Sequence, residues 1–169
     1  EKIFEQAKKL EQVIFAGFTH EPAILLAERL LPLLPGAFSR IFYSDNGSTS
    51  TEVAIKMALQ YWWNIGKSEV GSQESGVMSR ESEVGSREPT EGVSHRNKIL
   101  AFNNSYHGDT FGAMSISDRS VFTLAFHDKL FEVVFIDAPV SLETPLPIVD
   151  WNSIACFIYE PLIQGAGGM

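Results

Sequence analysis

"FYSDNGSTSTEVAIK", residues 42–56, decides how the rest of the chain is read. A short apolar run stops at a cluster of small polar residues, and a helical pattern begins at once. Asn46, Gly47 and Ser48 lie where strand hands over to helix. The first turn of a helix offers unpaired N–H groups and the positive end of the helix dipole. Such a spot suits an anion. Gly47 allows close backbone approach, the hydroxyls of Ser48 and Thr49 add donors, and phosphate is the natural guest. The alternative is internal. Thr49-x-x-Glu52 has capping-box spacing and would satisfy the same N–H groups without any ligand. On these residues alone the cap outweighs the anion cup. The spacing is not GxxxxGK[ST], which argues against a P-loop nucleotide site.

Working outward, residues 2–13 carry Ile3, Phe4, Ala7 and Leu10 on one face of an expected helix. "FAGFTHEP" breaks that pattern. Pro22 then suits the first turn of a second helix, "PAILLAERLLPLL", whose apolar positions nearly encircle it and predict deep burial. Residues 40–44 (RIFYS), 98–102 (KILAF), 132–137 (EVVFID) and 154–160 (IACFIYE) read as four strands, and residues 49–63 as a helix. The strands are continuous apolar runs rather than alternating ones, as in parallel sheets covered on both faces. With helices interleaved, the fold class is α/β, a mostly parallel sheet with flanking helices.

The chain has 169 residues, 44% hydrophobic and 20% charged, enough for one globular core. Its net charge of −8 argues against nucleic acid as a partner, because a phosphate-backbone binder normally presents a basic surface. No apolar run reaches the ~18 residues of a membrane span, and "EKIFEQAKKLEQ" lacks the apolar stretch of a signal peptide. Cys156 is the only cysteine, so no intrachain disulfide can form, which fits a reducing compartment. A cytoplasmic protein is expected. The chain opens on Glu1 without Met and closes on "GAGGM" just after a strand, so an internal piece of a longer protein is expected.

Ligands of open α/β sheets gather at the carboxyl ends of the strands. Three polar clusters fall there: residues 45–51, 103–109 and 160–168. In the second, Tyr106 can lay its ring against a planar ligand and His107 can donate or accept a proton. The plain alternative is a tyrosine packed on its neighbours and a histidine that is merely hydrogen-bonded. No second histidine lies at i+3 or i+4, so no metal site is expected. Cys156 sits inside an apolar strand and reads as a small buried hydrophobe. In the third cluster Glu160 can orient a ligand beside a glycine-rich turn. Otherwise Pro161 simply ends the strand.

Taken in order, "SDNGSTSTEVAIKMALQYWW", "NNSYHGDTFGAMSISD" and "YEPLIQGAGGM" resemble the class III aminotransferases, fold type I enzymes that use pyridoxal 5'-phosphate (PLP). "FAGFTHEPAILLAERLLPLLPG" adds to the resemblance, which covers nearly the whole chain outside residues 68–96. It implies that Gly47 and Ser48 hold the PLP phosphate. Tyr106 would stack on the pyridine ring and border the substrate, with Glu160 and His107 as supporting groups. It implies no catalytic residue within the chain. The lysine that joins PLP as a Schiff base, and the aspartate that pairs with the pyridine nitrogen, are expected beyond Met169. None of the seven lysines sits in the family's lysine motif. Residues 1–169 are thus expected to be part of the large PLP-binding domain, inactive by themselves. Within the class, the resemblance is nearest to the branch serving biotin biosynthesis. That branch moves the amino group of S-adenosylmethionine to 8-amino-7-oxononanoate, giving 7,8-diaminononanoate. The alternatives are a class III enzyme acting on ω-amino acids, or a non-catalytic PLP-binding or interaction fragment. A homodimer with its active site at the subunit boundary is also implied.

Residues 68–96 differ in kind. "SEVGSQES" at 68–75 recurs as "SEVGSREP" at 82–89, and the stretch contains no Phe, Trp or Tyr. Such a composition buries too little apolar area to offset the entropy of ordering, so a low-complexity mobile insert is expected. Replacing residues 68–96 by a short Gly-Ser linker in the full-length protein should leave folding intact, because each doubling of loop length costs only about 0.6 kcal/mol. Thermal melting of the two forms checks this, and a large fall on replacement counts against a dispensable insert.

Overall fold

Lys98–Phe102 (β1), Val134–Ile136 (β2) and Ile154–Ile158 (β3) form a parallel sheet in the order β2-β1-β3. The central strand is the most apolar, and Ile99, Leu100 and Ala101 are fully buried. In this computed structural model the described residues are 1–71, 96–139, 147–161 and 165. They fall into two units, Glu1–Tyr43 and Ser44–Met169. The strand expected over 132–137 shortens to three residues, and that over 154–160 ends at Ile158. Residues 40–44, expected as a strand, belong to no ladder. An apolar run becomes a strand only where a neighbour takes its N–H and C=O groups, and the described sheet offers this one none.

In the second unit, Gly47–Gly71 (α3) and Phe111–Ser115 (α4) flank the sheet. Ile55 of α3, Ile99 of β1 and Ile116 just after α4 make the core, with Leu59, Val133, Cys156 and Ile158 packed against it. Cys156 is half-buried rather than sealed, and burial raises its thiol pKa. Between β1 and β3 the register slips by one residue. Lys98 pairs with Ile154 and Ile99 with Cys156, leaving Ala155 over as a bulge. The indole of Trp62 donates to the Ala155 carbonyl (2.7 Å) and so satisfies an oxygen near the slipped register. Arg96 stacks on the Trp62 ring at 4.4 Å, and its guanidinium donates to the carbonyls of Trp151 and Ile154 (2.9 and 3.3 Å).

Most of the low-complexity insert, residues 72–95, lies outside the described residues. Its two borders do not: residues 68–71 continue α3, and Arg96 is anchored as above.

The first unit holds Lys2–Lys9 (α1) and Glu21–Leu30 (α2), followed by a 3₁₀ turn over Leu31–Leu33. Pro22 sits in the first turn of α2, where its missing N–H costs nothing. Phe15 stacks on both His20 and Tyr43, and the Tyr43 hydroxyl donates to the Ala23 carbonyl (2.6 Å). The deep burial expected of α2 is not found. Ala23 alone is buried, while Ile24, Leu25 and Leu26 stay exposed. A 43-residue unit has too little mass to cover an apolar helix on every side. No described helix is long and apolar enough to cross a membrane.

Helix α4 has only five residues, too few to persist alone. Charge holds both its ends. The Glu52 carboxylate, reaching from α3, accepts the N–H groups of Gly112 (2.6 Å) and Ala113 (3.3 Å). The Arg119 guanidinium donates to the carbonyls of Met114, Ser115 and Ser117 at 2.9–3.2 Å. Negative charge thus meets the helix start and positive charge its end, the favourable order for the dipole. Removing the first should show in unfolding. Glu52→Ala strands two N–H groups in a buried segment and is expected to lower stability by about 1–3 kcal/mol. Glu52→Gln keeps an acceptor oxygen and should lose less. Urea unfolding of both full-length variants tests that order, and equal losses would show that the bond to α4 is not what Glu52 contributes.

Candidate functional site

Helix α3 begins at Gly47, with Asn46 as its cap. The Asn46 side-chain oxygen accepts the Thr49 N–H (3.0 Å), and the Thr49 hydroxyl oxygen accepts the Asn46 N–H (3.2 Å). This reciprocal pair is the capping box, so the Thr49–Glu52 box expected from spacing is not formed. Asn46 was the overlooked signal, since asparagine ranks among the best caps. Glu52, released from capping its own helix, caps α4 instead. The Asn46 box leaves the N–H groups of Gly47 and Ser48 without a partner among the described residues. A Cβ placed on Gly47 would meet nothing within 4 Å, so this backbone opens outward.

The loop after β1 is fastened to α3 by residues on one helix face, spaced i, i+3 and i+4. Ser48 Oγ accepts the Asp109 N–H (3.2 Å), Thr51 Oγ1 donates to the His107 carbonyl (3.2 Å), and Glu52 holds Gly112. The fit is close. Gly108 has φ +131°, and a Cβ there would overlap the Ser48 hydroxyl. A Cβ on Gly112 would likewise run into the Glu52 carboxylate. These two glycines are required by approach, Gly108 also by conformation.

The loop brings Tyr106 and His107 beside the start of α3. Asn46, Gly47, Ser48, Thr51, Tyr106, His107 and Gly108 line one open cleft of about 470 Å³. Tyr106 is 47% exposed, and its hydroxyl donates to the Asp109 carboxylate (2.7 Å). That bond, then burial and the carboxylate's charge, raises the Tyr106 pKa, so the phenol stays protonated. His107 is half-buried. Burial lowers its pKa while the charge of Glu160 pulls it back up. The parallel pairing of β1 and β3 sets their carboxyl ends side by side, which is why Glu160 acts on His107. His107 Nε2 and Glu160 Oε2 are both buried without a hydrogen-bond partner among the described residues. The other Glu160 oxygen accepts the Gly165 N–H (3.2 Å).

The structure therefore gathers Gly47, Ser48, Tyr106 and His107 in one cleft and sets Glu160 within electrostatic reach. Most of the glycine-rich turn after Glu160 lies outside the described residues. Sequence reading missed Thr51 and Ser117, the latter a buried serine whose hydroxyl accepts the His107 N–H (2.8 Å). The helical spacing from Ser48 was the available signal for Thr51; nothing in spacing pointed to Ser117. The donor set fits PLP in its two essentials. Two free N–H groups and the unused O–H of Ser48 suit a phosphate, and the exposed Tyr106 ring suits a planar heterocycle. Lys56 does not share this cleft; it lines another groove with Trp62 and Arg96.

The family model for class-III aminotransferases matches residues 1–169. The adenosylmethionine-8-amino-7-oxononanoate aminotransferase of Synechococcus elongatus is 42% identical over the whole chain, which spans 37% of that protein. A crystal structure of the enzyme of that name from Methanocaldococcus jannaschii superposes with a TM-score of 0.69 at 27% identity, covering 99% of this chain and 33% of that one. An amine transaminase from an uncultivated Pseudomonas species, in PLP-bound form, superposes at 0.66 with 26% identity, covering 98% of this chain and 36% of that one. The chain thus spans little more than a third of the relatives it matches. Matched along its full length, with its glycine, serine and tyrosine motifs meeting in one cleft, the chain belongs to the class III aminotransferases.

Proposed function

We propose that residues 1–169 are part of the large PLP-binding domain of an aminotransferase that moves the amino group of S-adenosylmethionine to 8-amino-7-oxononanoate, yielding 7,8-diaminononanoate for biotin biosynthesis. One observation carries the cofactor reading: the open helix start at Gly47–Ser48 and the Tyr106 ring share a cleft at the carboxyl edge of a parallel sheet. The relatives' names support the substrates. When bound, PLP supplies an electron sink that lets an amino group leave one carbon and later join another.

The chain's own residues bind and orient. The N–H groups of Gly47 and Ser48, with the Ser48 hydroxyl, hold the phosphate at the positive end of α3. Tyr106 covers one side of the ring and borders the substrate, its phenol fixed by Asp109. His107, whose pKa burial lowers, and Glu160, within electrostatic reach of it, are supporting groups beside the cofactor. We assign the lysine that takes PLP to a part of the protein outside residues 1–169; Lys56, on the helix after the phosphate seat, lines a different groove. The same reading makes the protein a cytoplasmic homodimer.

A second reading, an amine or ω-amino-acid transaminase, draws on the likeness to the Pseudomonas enzyme. Donor preference separates the two. The full-length protein with PLP and 8-amino-7-oxononanoate should form 7,8-diaminononanoate with S-adenosylmethionine as donor. Turnover with simple amines alone would favour the second reading, and failure to bind PLP at all would remove both.

The phosphate seat makes a sharper forecast. Hydrogen bonds to a charged group contribute roughly 1.5–3 kcal/mol, so Ser48→Ala in the full-length protein should raise the PLP dissociation constant about tenfold or more. Tyr106→Phe keeps the ring and should retain PLP better than Tyr106→Ala. PLP release on dilution, followed by absorbance, ranks the three variants. If Ser48→Ala melts lower yet holds PLP like the wild type, Ser48 serves only to tie the Asp109 loop.

A further inference from the structure

The backbone of His107 is gripped from two directions. Its N–H donates to Ser117 Oγ (2.8 Å), and its carbonyl accepts from Thr51 Oγ1 (3.2 Å). Ser117 is itself fixed: it is 3% exposed, and its hydroxyl donates to the Ala113 carbonyl (2.8 Å). Its hydrogen-bonding capacity is thus used on both sides, as a buried hydroxyl requires. Tyr106 precedes this pinned residue and Gly108 follows it. Gly108 already lies so near Ser48 that an added Cβ would overlap the Ser48 hydroxyl. A shift of the His107 peptide would therefore alter the Tyr106 ring and the room above Ser48 together.

We propose that Thr51 and Ser117 are positioning residues: by holding the two polar groups of the His107 backbone, they set the height of the Tyr106–Gly108 segment over Ser48, and with it the ring wall and the phosphate seat. This rests on the cofactor reading above. Neither side chain has to touch the cofactor, because each acts through the His107 peptide. Thr51 reaches from α3, which begins the seat, and Ser117 from the far side of the loop. The loop is thus referenced to the element that carries the phosphate site and to the turn after α4.

The experiment uses the full-length holoprotein and four variants: Thr51→Val, Thr51→Ser, Ser117→Ala and, as control, Ser50→Ala. The Ser50 hydroxyl lies on the same helical turn but donates to the Asn46 carbonyl (2.9 Å), away from the loop. The readouts are visible circular dichroism per bound PLP, the rate of PLP release on dilution, and melting of the apoprotein. Thr51→Val should change the dichroism and speed release by about 2- to 10-fold, the factor one net hydrogen bond carries. Thr51→Ser should restore both, and Ser50→Ala should match the wild type. Ser117→Ala should reproduce the Thr51→Val signature with a lower melting temperature. If Thr51→Val leaves dichroism and release unchanged, or if the variants differ from wild type only in melting, the positioning role is overturned while the cofactor reading stands. If the wild type itself binds no PLP, both fall.

Discussion

The contact between Glu52 and the start of α4 is the constraint from which the second unit is built. A five-residue helix does not repay its own nucleation, so α4 exists because charge is delivered to both ends. Once it stands, Ile116 is pressed onto Ile55 and Ile99, and the loop between β1 and α4 is closed at its far end. The near end is closed by Ser105, whose hydroxyl donates to the Phe102 carbonyl (2.6 Å). What remains is a short arc, residues 106–110, held over the first turn of α3. The site thus lies between a strand end and a helix start.

The electrostatics follow from the same arrangement. Glu52, the first carboxylate within α3, is spent on another helix. Within its own first turns, α3 therefore keeps no carboxylate at the positive end of its dipole. Tyr106 and His107 are both kept in their neutral forms, the first by a carboxylate acceptor and the second by burial. The cleft thus pairs a neutral wall with the helix start, and no Lys or Arg lines it among the described residues.

Much of this was legible in the sequence where local chemistry decides. KILAF emerged as β1 with its bounds unchanged, because a central strand is apolar along its whole length. The junction at Asn46–Ser48 was recognisable because asparagine, glycine and serine cluster at helix starts. Long-range partners were less legible. Glu52 was assigned to its own helix because the capping box is a local pattern, and nothing local signals a partner 60 residues away. The run RIFYS has strand composition, but pairing is decided by neighbours. Helix α2 has the composition of a buried helix, but burial is decided by what surrounds it. Gly108 could be marked as a loop glycine, but its contact with Ser48 belongs to three dimensions.

Arg96 has a consequence for how the chain accommodates length. It stacks on Trp62 and bonds carbonyls at Trp151 and Ile154, two residues before β1 begins. It works as an index pin. Chain leaving α3 is brought back to one fixed point, and the sheet register is counted from there. Additions or losses of sequence upstream of that pin need not propagate into β1 as a one-residue slip, which would turn every side chain to the opposite face. The carboxyl edge of the sheet is thereby insulated from changes in the length of the repetitive segment before it.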